Sequence, residues 1–275
     1  MSRIVTLHPT VVLVLAAVGC RGADAPVQLA YRFEATQGTT FTAELGHEID
    51  FSMGDHAMHG TREMRARYTV LGETARLDSI RASMIWGPNQ QRIDTRHLTG
   101  VVFPLTVSAT GGPPTYDATL PVVDMGGQAG GAVPASIMID YGFPTLPTES
   151  VTTGSTWSET RSYPRLEAFM WVMADVTTTY RVKGQSTIDG TRCVEVTSES
   201  VGTLSEGSHD GEAQPYAGQL TGSATWCFDA ASGVLVQMIG EEATDGASAG
   251  TDRPDLMIKQ MTKIEIHNTA TEGRE

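Results

Sequence analysis

The sequence predicts an all-β protein: one large, twisted antiparallel sheet that curls towards a half-barrel, with at most a short helix in its middle segment. Three observations predict it. Residues 41–53 alternate without a break, with Phe41, Ala43, Leu45, His47, Ile49, Phe51 and Met53 on one face and Thr42, Glu44, Gly46, Glu48, Asp50 and Ser52 on the other. That period of two marks a half-buried strand. Asp189-Gly190, flanked by Ile188 and Thr191, is a two-residue hairpin signal, because both residues tolerate the positive φ of a type I′ turn. Residues 177–240 read as a β-meander whose apolar face carries Leu220, Ala224, Trp226 and Phe228. A two-sheet sandwich is the competing architecture. It would close the apolar face with a second sheet, whereas a half-barrel leaves that face to a ligand or a flap.

The β domain spans residues 28–267, in halves 28–108 and 150–267. Residues 28–33 read as a first strand. The strand at 41–53 turns at a tip, 54–60, and returns with Met64, Ala66, Tyr68 and Val70 inward. Arg65 and Arg67 then face outward, opposite Glu44, Glu48 or Asp50. Such exposed pairs contribute about 0.2–1 kcal/mol each and set register more than stability. Residues 75–86 and 92–107 read as further strands. Residues 109–149 change character: Gly111-Gly112-Pro113-Pro114, Gly126-Gly127 and Gly130-Gly131 interrupt any long element. This stretch reads as a crossover, either a flap over the apolar face or a surface linker, with 132–141 a short helix or strand. In the second half, Phe169, Trp171 and Met173 fall on one face of 166–176, and 202–218 reads as a polar loop. A turn at Ala230-Ala231-Ser232-Gly233 leads to 234–239. Residues 256–267 form a final strand and 268–275 a disordered tail.

The halves share a pattern. Gly154-Ser155-Thr156-Trp157 matches Gly38-Thr39-Thr40-Phe41, and Tyr180-x-Val182-x-Gly184 matches Tyr68-x-Val70-x-Gly72. The order and spacing predict a degenerate duplication that merges into one curved sheet.

The N-terminus has Arg3, an apolar stretch at 10–18 too short to span a bilayer, and then Ala17-Val18-Gly19-Cys20. The last four residues resemble a bacterial lipobox, with Ala17 where that pattern prefers leucine. The resemblance implies a signal peptide at 1–19, acyl chains on Cys20 and a short tether at 20–27. An ordinary secretory signal cut near Gly19 or Ala23 is the alternative. Arg21 is not the aspartate that, in such lipoproteins, is linked to inner-membrane retention, so the resemblance implies the outer membrane. The chain has three cysteines, an odd number for an exported protein. Cys193 shares a face with Glu195 and Thr197, and Cys227 with Ser223 and Thr225, opposite Trp226. Antiparallel neighbours come within disulfide range. The expectation is a Cys193–Cys227 disulfide, formed in an oxidising compartment, with Cys20 lipidated. The net charge of −13 and pI near 4.9 argue against nucleic acid and against electrostatic docking to anionic lipid.

Taken together, Gly-x-x-aromatic at the start of each half, Tyr-x-Val-x-Gly, Asp189-Gly190-x-x-Cys193 and Trp226-Cys227-Phe228-Asp229-x-x-x-Gly233 resemble a family of uncharacterised bacterial secreted lipoproteins. The architecture resembles the periplasmic lipoprotein-carrier fold, in which a curved antiparallel sheet wraps an apolar concavity that holds acyl chains. The resemblance implies an apolar ligand such as lipid on the concave face. Phe41, Leu45, Ile49, Phe51, Phe169, Trp171 and Met173 are the candidate wall, as inward positions of two similar hairpins. A structural or assembly protein of the cell envelope is the alternative. No Gly-x-Ser-x-Gly, His-Glu-x-x-His or phosphate-cradling glycine loop is present, so no enzyme and no cofactor are expected. His47 reads as a core histidine bonded to backbone. Asp55-His56-x-Met58-His59 carries imidazole and thioether groups of the kind that suit copper. His56, Met58 and His59 are therefore a minor metal candidate.

Replacing Cys20 with Ser should move the protein from the membrane fraction to the soluble one, since acyl anchoring supplies roughly 0.8 kcal/mol per buried methylene. A Cys20→Ser protein that still pellets with membranes contradicts the anchor.

Overall fold

The computed structural model describes residues 25–33, 38–86, 89–112, 114, 122–124, 132–134, 139, 141–167, 170–209, 212–248 and 256–268. The lipobox cysteine, Phe169 and most of the tail lie outside them. The chain is all-β. Its first half holds β1 (Thr39–Met53), β2 (His56–Leu71), β3 (Thr74–Trp86), β4 (Asn89–Ile93), a 3₁₀ turn at Arg96–Leu98 and β5 (Val102–Pro104). A small pair follows, β6 (Val122–Asp124) and β7 (Ala132–Pro134). The second half holds β8 (Thr156–Glu167), β9 (Met170–Ile188), β10 (Thr191–His209), β11 (Glu212–Asp229), β12 (Val234–Ser248) and β13 (Leu256–Asn268). Eleven strands make one antiparallel sheet in the order β4-β3-β2-β1-β13-β12-β11-β10-β9-β8, with β5 beside β3. Among the described residues the edges β4 and β8 do not pair, so the sheet curls without closing into a barrel.

Local chemistry accounts for most of the strands. Phe41, Ala43, Leu45, His47 and Ile49 are all buried, as the alternation requires. Asp189 and Gly190 take φ of 47° and 79°, and β9 pairs with β10 directly across them. The first hairpin is tighter than the sequence implies: Met53 pairs with His56 around Gly54, at φ 58°. Arg65 does pair with Glu44, at 3.1 Å.

Three expectations are corrected. Residues 28–33 are extended but belong to no sheet. Val27 bridges Val151, and the following residues thread over the core, with Leu29 and Tyr31 buried. The stretch 202–218, polar and glycine-rich, is not a loop but the far ends of β10 and β11, because backbone pairing continues through it. Residues 92–107 are split into β4, the 3₁₀ turn and β5. Of the two readings for 132–141, a helix or a strand, the described residues hold a strand, β7, at Ala132–Pro134.

The crossover acts as the flap. Ile139, Phe143 and Leu146 are buried in the main core with Phe41, Tyr68, Trp226 and Phe228. Tyr31 packs edge-on to Phe143 at 5.6 Å and to Phe228 at 5.1 Å. The flap's backbone is tied to its own base by Leu146 N–H to Thr110 O (2.7 Å) and Gly112 N–H to Phe143 O (3.0 Å). Gly111 sits at φ 70° with a Cβ position only 2.5 Å from the Tyr31 ring, so this close approach needs glycine. One layer of irregular chain thus replaces the second sheet of a sandwich.

The matched motifs of the two halves occupy equivalent places. Phe41 pairs with Tyr68 on β1–β2, and Trp157 pairs with Tyr180 on β8–β9. Both pairs stack, with ring centroids 5.3 Å and 5.1 Å apart. Cys193 and Cys227 form a disulfide, with Cα atoms 5.4 Å apart. They are not directly opposed, because Cys227 faces Glu195 across the ladder. The bridge therefore runs diagonally between β10 and β11.

Trp226 is 1% exposed at the centre of the main core. Trp226→Ala should lower the unfolding free energy by about 3–5 kcal/mol, the range for deleting a buried aromatic. A variant that melts with the wild type contradicts this packing.

Candidate functional site

A polar belt crosses the inner face of the sheet. It runs through successive cross-strand partners on eight strands, Arg62, His47, Thr262, Glu242, Gly222, Ser200, Thr178 and Glu159, with Gly222 the one position that lacks a polar side chain. On one side lies the main core. On the other lies a second apolar cluster of Ile49, Met170, Val172, Ala174, Leu204, Tyr216, Leu220 and Ile258. Polar side chains in this position need partners, because unpaired burial of a polar group is costly.

The partners come from the end of β8. Arg165, Leu166 and Glu167 are consecutive and all buried, so this end of the strand is covered on both faces. Arg165 bonds both Glu167 on its own strand and Glu242 on β12. The Thr244 hydroxyl donates to Glu167. Burial by itself would weaken the Arg165 cation, but Glu242 and Glu167 more than offset this and hold its pKa well above the usual value. Burial pushes the Glu167 carboxyl up, against Arg165 and the Thr244 hydroxyl. Between β8 and β12 lie β9, β10 and β11, so these bonds reach across the mouth of the curl.

His47 is held by side chains rather than by backbone. Its Nδ1 lies 3.0 Å from the Thr262 hydroxyl and 3.3 Å from the Gln260 amide nitrogen. Burial, with Arg62 and Arg165 nearby, lowers its pKa well below the usual value, so the ring is neutral. Burial also pushes the Arg62 guanidinium down to about 10, with Tyr141 and Glu167 opposing the shift. At the other end of the belt, Glu159 accepts from the Tyr180 hydroxyl and from Thr145 of the flap (2.6 Å).

A cavity of about 510 Å³ opens inside the curl beside the belt. Trp226, Tyr180, Met238 and Ile264 form its apolar wall; His47, Arg165 and Glu242 form its polar end; Tyr141, Phe143 and Pro144 of the flap roof it. A larger depression of about 1,260 Å³ lies on the other face, lined by interspersed charges such as Glu44, Arg65, Lys263 and Glu265. The smaller cavity, with its continuous apolar wall, is the candidate site.

The predicted wall residues do not meet in one place. Phe41 and Leu45 are packed in the main core, Ile49 is in the second cluster, and Phe51 is half-buried against that cluster. Trp171 does line the cavity. Met173 is half-buried on the opposite face of β9 from Val172 and Ala174, and Phe169 lies outside the described residues. The face assigned to 169–173 was one residue out of phase: Met170, Val172, Ala174 and Val176 point inward. The copper candidates also separate. His56 and Met58 share a face of β2, while His59 is on the other face, 2.7 Å from Asp50. Among the described residues no three His, Cys, Asp or Glu side chains converge as metal ligands. The charged belt was missed. Its signal was present in Arg62, which continues the inward phase of Met64 and Ala66, and in Arg165 and Glu167, which frame Leu166.

No protein-family profile matches the chain, and no curated protein matches it. The solved structures it resembles include neisserial surface protein A, at 3% identity over 85% of this chain and 99% of that one, TM-score 0.23. Pseudomonas aeruginosa OccK5 is 6% identical over 87% and 100%, TM-score 0.30. The outer membrane protein opdK of Pseudomonas aeruginosa is 8% identical over 82% and 98%, TM-score 0.26. Likeness at these scores carries no inference about this chain.

Arg165→Met should destabilise the protein by about 3–5 kcal/mol, because it strands Glu167 and Glu242 as buried carboxylates. Adding Glu167→Met and Glu242→Met should recover most of that loss in chemical denaturation. A single Arg165→Met variant as stable as wild type contradicts the network.

Proposed function

We propose that the protein is an exported bacterial lipoprotein, held at the outer membrane by acyl chains on Cys20, that binds an apolar ligand such as lipid inside the curl of its sheet. The observation that carries this reading is the cavity of about 510 Å³, within the range of small-molecule sites. It lies between Trp226, Tyr180 and the flap, where a filled core would leave no such space. The lipobox-like Ala17-Val18-Gly19-Cys20 supports the anchor. The Cys193–Cys227 disulfide suits an oxidising, extracytoplasmic compartment. The acidic surface leaves membrane attachment to the acyl chains. The alternative of docking to other envelope proteins through a sheet edge has less behind it. Edge strand β8 carries Pro164, and its last three residues are buried, both of which blunt strand addition.

Uptake of a fluorescent fatty acid, measured for wild type and Ala224→Phe, tests the reading. Ala224 is half-buried at the edge of the main core and lines the cavity, so a ring there displaces ligand, and a circular-dichroism melt of the variant confirms that it is folded before uptake is compared. Excluding two or three methylenes, at roughly 0.8 kcal/mol each, weakens binding by about tenfold to a hundredfold. No uptake by wild type, or equal uptake by both proteins, overturns it.

A further inference from the structure

The tip of the first hairpin gathers soft donors on one face. Gly54 and Asp55 make a two-residue loop between β1 and β2, with Gly54 at φ 58°. Glycine at the first loop position suits the II′ turn, which keeps the flanking strands in register. Met53 and His56 are therefore direct cross-strand partners, and Met58 pairs with Phe51. Side chains alternate along a strand, so Met53, His56 and Met58 share the face of Ile49 and Phe51. Opposed residues have Cβ atoms about 4.5–5.5 Å apart and diagonal ones about 7–8 Å, within reach of long side chains. Met53 is opposed to His56 and diagonal to Met58. Two thioethers and an imidazole can thus meet over one point of the hairpin.

Core packing does not account for these side chains. Methionine commonly fills gaps in apolar cores, yet Met53 is 44% exposed and Met58 47%. Phe51, beside Met58, packs against the second apolar cluster and gives the group one apolar wall. His56 is exposed and makes no side-chain hydrogen bond or ion pair among the described residues, whereas His59 on the other face is taken by Asp50. Thioethers select Cu(I), imidazole also suits copper, and hard cations prefer oxygen. The net charge of −13 favours the approach of any cation. We propose that Met53, His56 and Met58 bind Cu(I) at the hairpin tip. None of the three lines the cavity, so the site stands or falls apart from the lipid reading.

The test is anaerobic calorimetry with Cu(I), added as its acetonitrile complex, to the full chain carrying Cys20→Ser, which removes the one thiol outside the disulfide. This protein should bind one equivalent. Met53→Leu, Met58→Leu and His56→Ala should each weaken binding about tenfold or more, since even an outer-shell change costs a metal site that much. His59→Ala should bind as its parent does. All four positions are exposed, so the variants should melt with the parent. In spectra of protein labelled at the methionine methyls, one equivalent of Cu(I) should shift the two resonances that Met53→Leu and Met58→Leu lack. No binding by the parent, leucine variants that bind as it does, an equal loss in His59→Ala, or shifts at the exposed Met257 and Met261 instead would each overturn the site.

Discussion

The architecture depends on the bonds of Arg165 to Glu167 and Glu242. A sheet of eleven twisted strands has no intrinsic reason to bring β8 over β12, since three strands lie between them and twist alone gives an open saddle. The Arg165–Glu242 contact draws the end of β8 across the inner face. That crossing encloses the second apolar cluster and leaves space beside it. Buried ion pairs contribute little net stability, because desolvation consumes most of the Coulombic gain. Here the pair acts on shape. It specifies one curl among many that an apolar face would allow.

The flap acts on the same face from the other side. Tyr31, Phe143 and Leu146 close the main core where the sheet is apolar. They stop where the inner face turns polar, at the belt. Thr145 ties the flap to Glu159 there, and Trp157 donates to the Thr145 carbonyl at 2.9 Å. The cavity lies at this seam between covered core and charged belt. Its mixed lining follows from its position and needs no separate design.

The strands of the β1–β2 hairpin and the β9–β10 turn were legible because each follows from a local rule: alternation, or an Asp-Gly pair with positive φ. The disulfide was legible from face parity, although its diagonal geometry was not. The cavity wall was not legible. It unites residues from β1, β8, β9, β10, β11, β12, β13 and the flap, and only the curl decides which inward residues converge. The slip at 169–173 has a local cause. The end of the β8–β9 hairpin is covered on both faces, so Trp171 lines the cavity and Met173 is half-buried although both point away from Val172. Composition could not separate the two faces there. The polar belt broke the expectation that inward residues are apolar, and such breaks mark the places where a fold serves something other than stability.

The central claim is that the inner cavity holds an apolar ligand such as lipid. Native mass spectrometry of the protein, purified from its own membrane without added lipid, tests it most directly. The account predicts lipid that stays bound to the folded chain and is released when the protein is unfolded. Protein that flies free of ligand would contradict it.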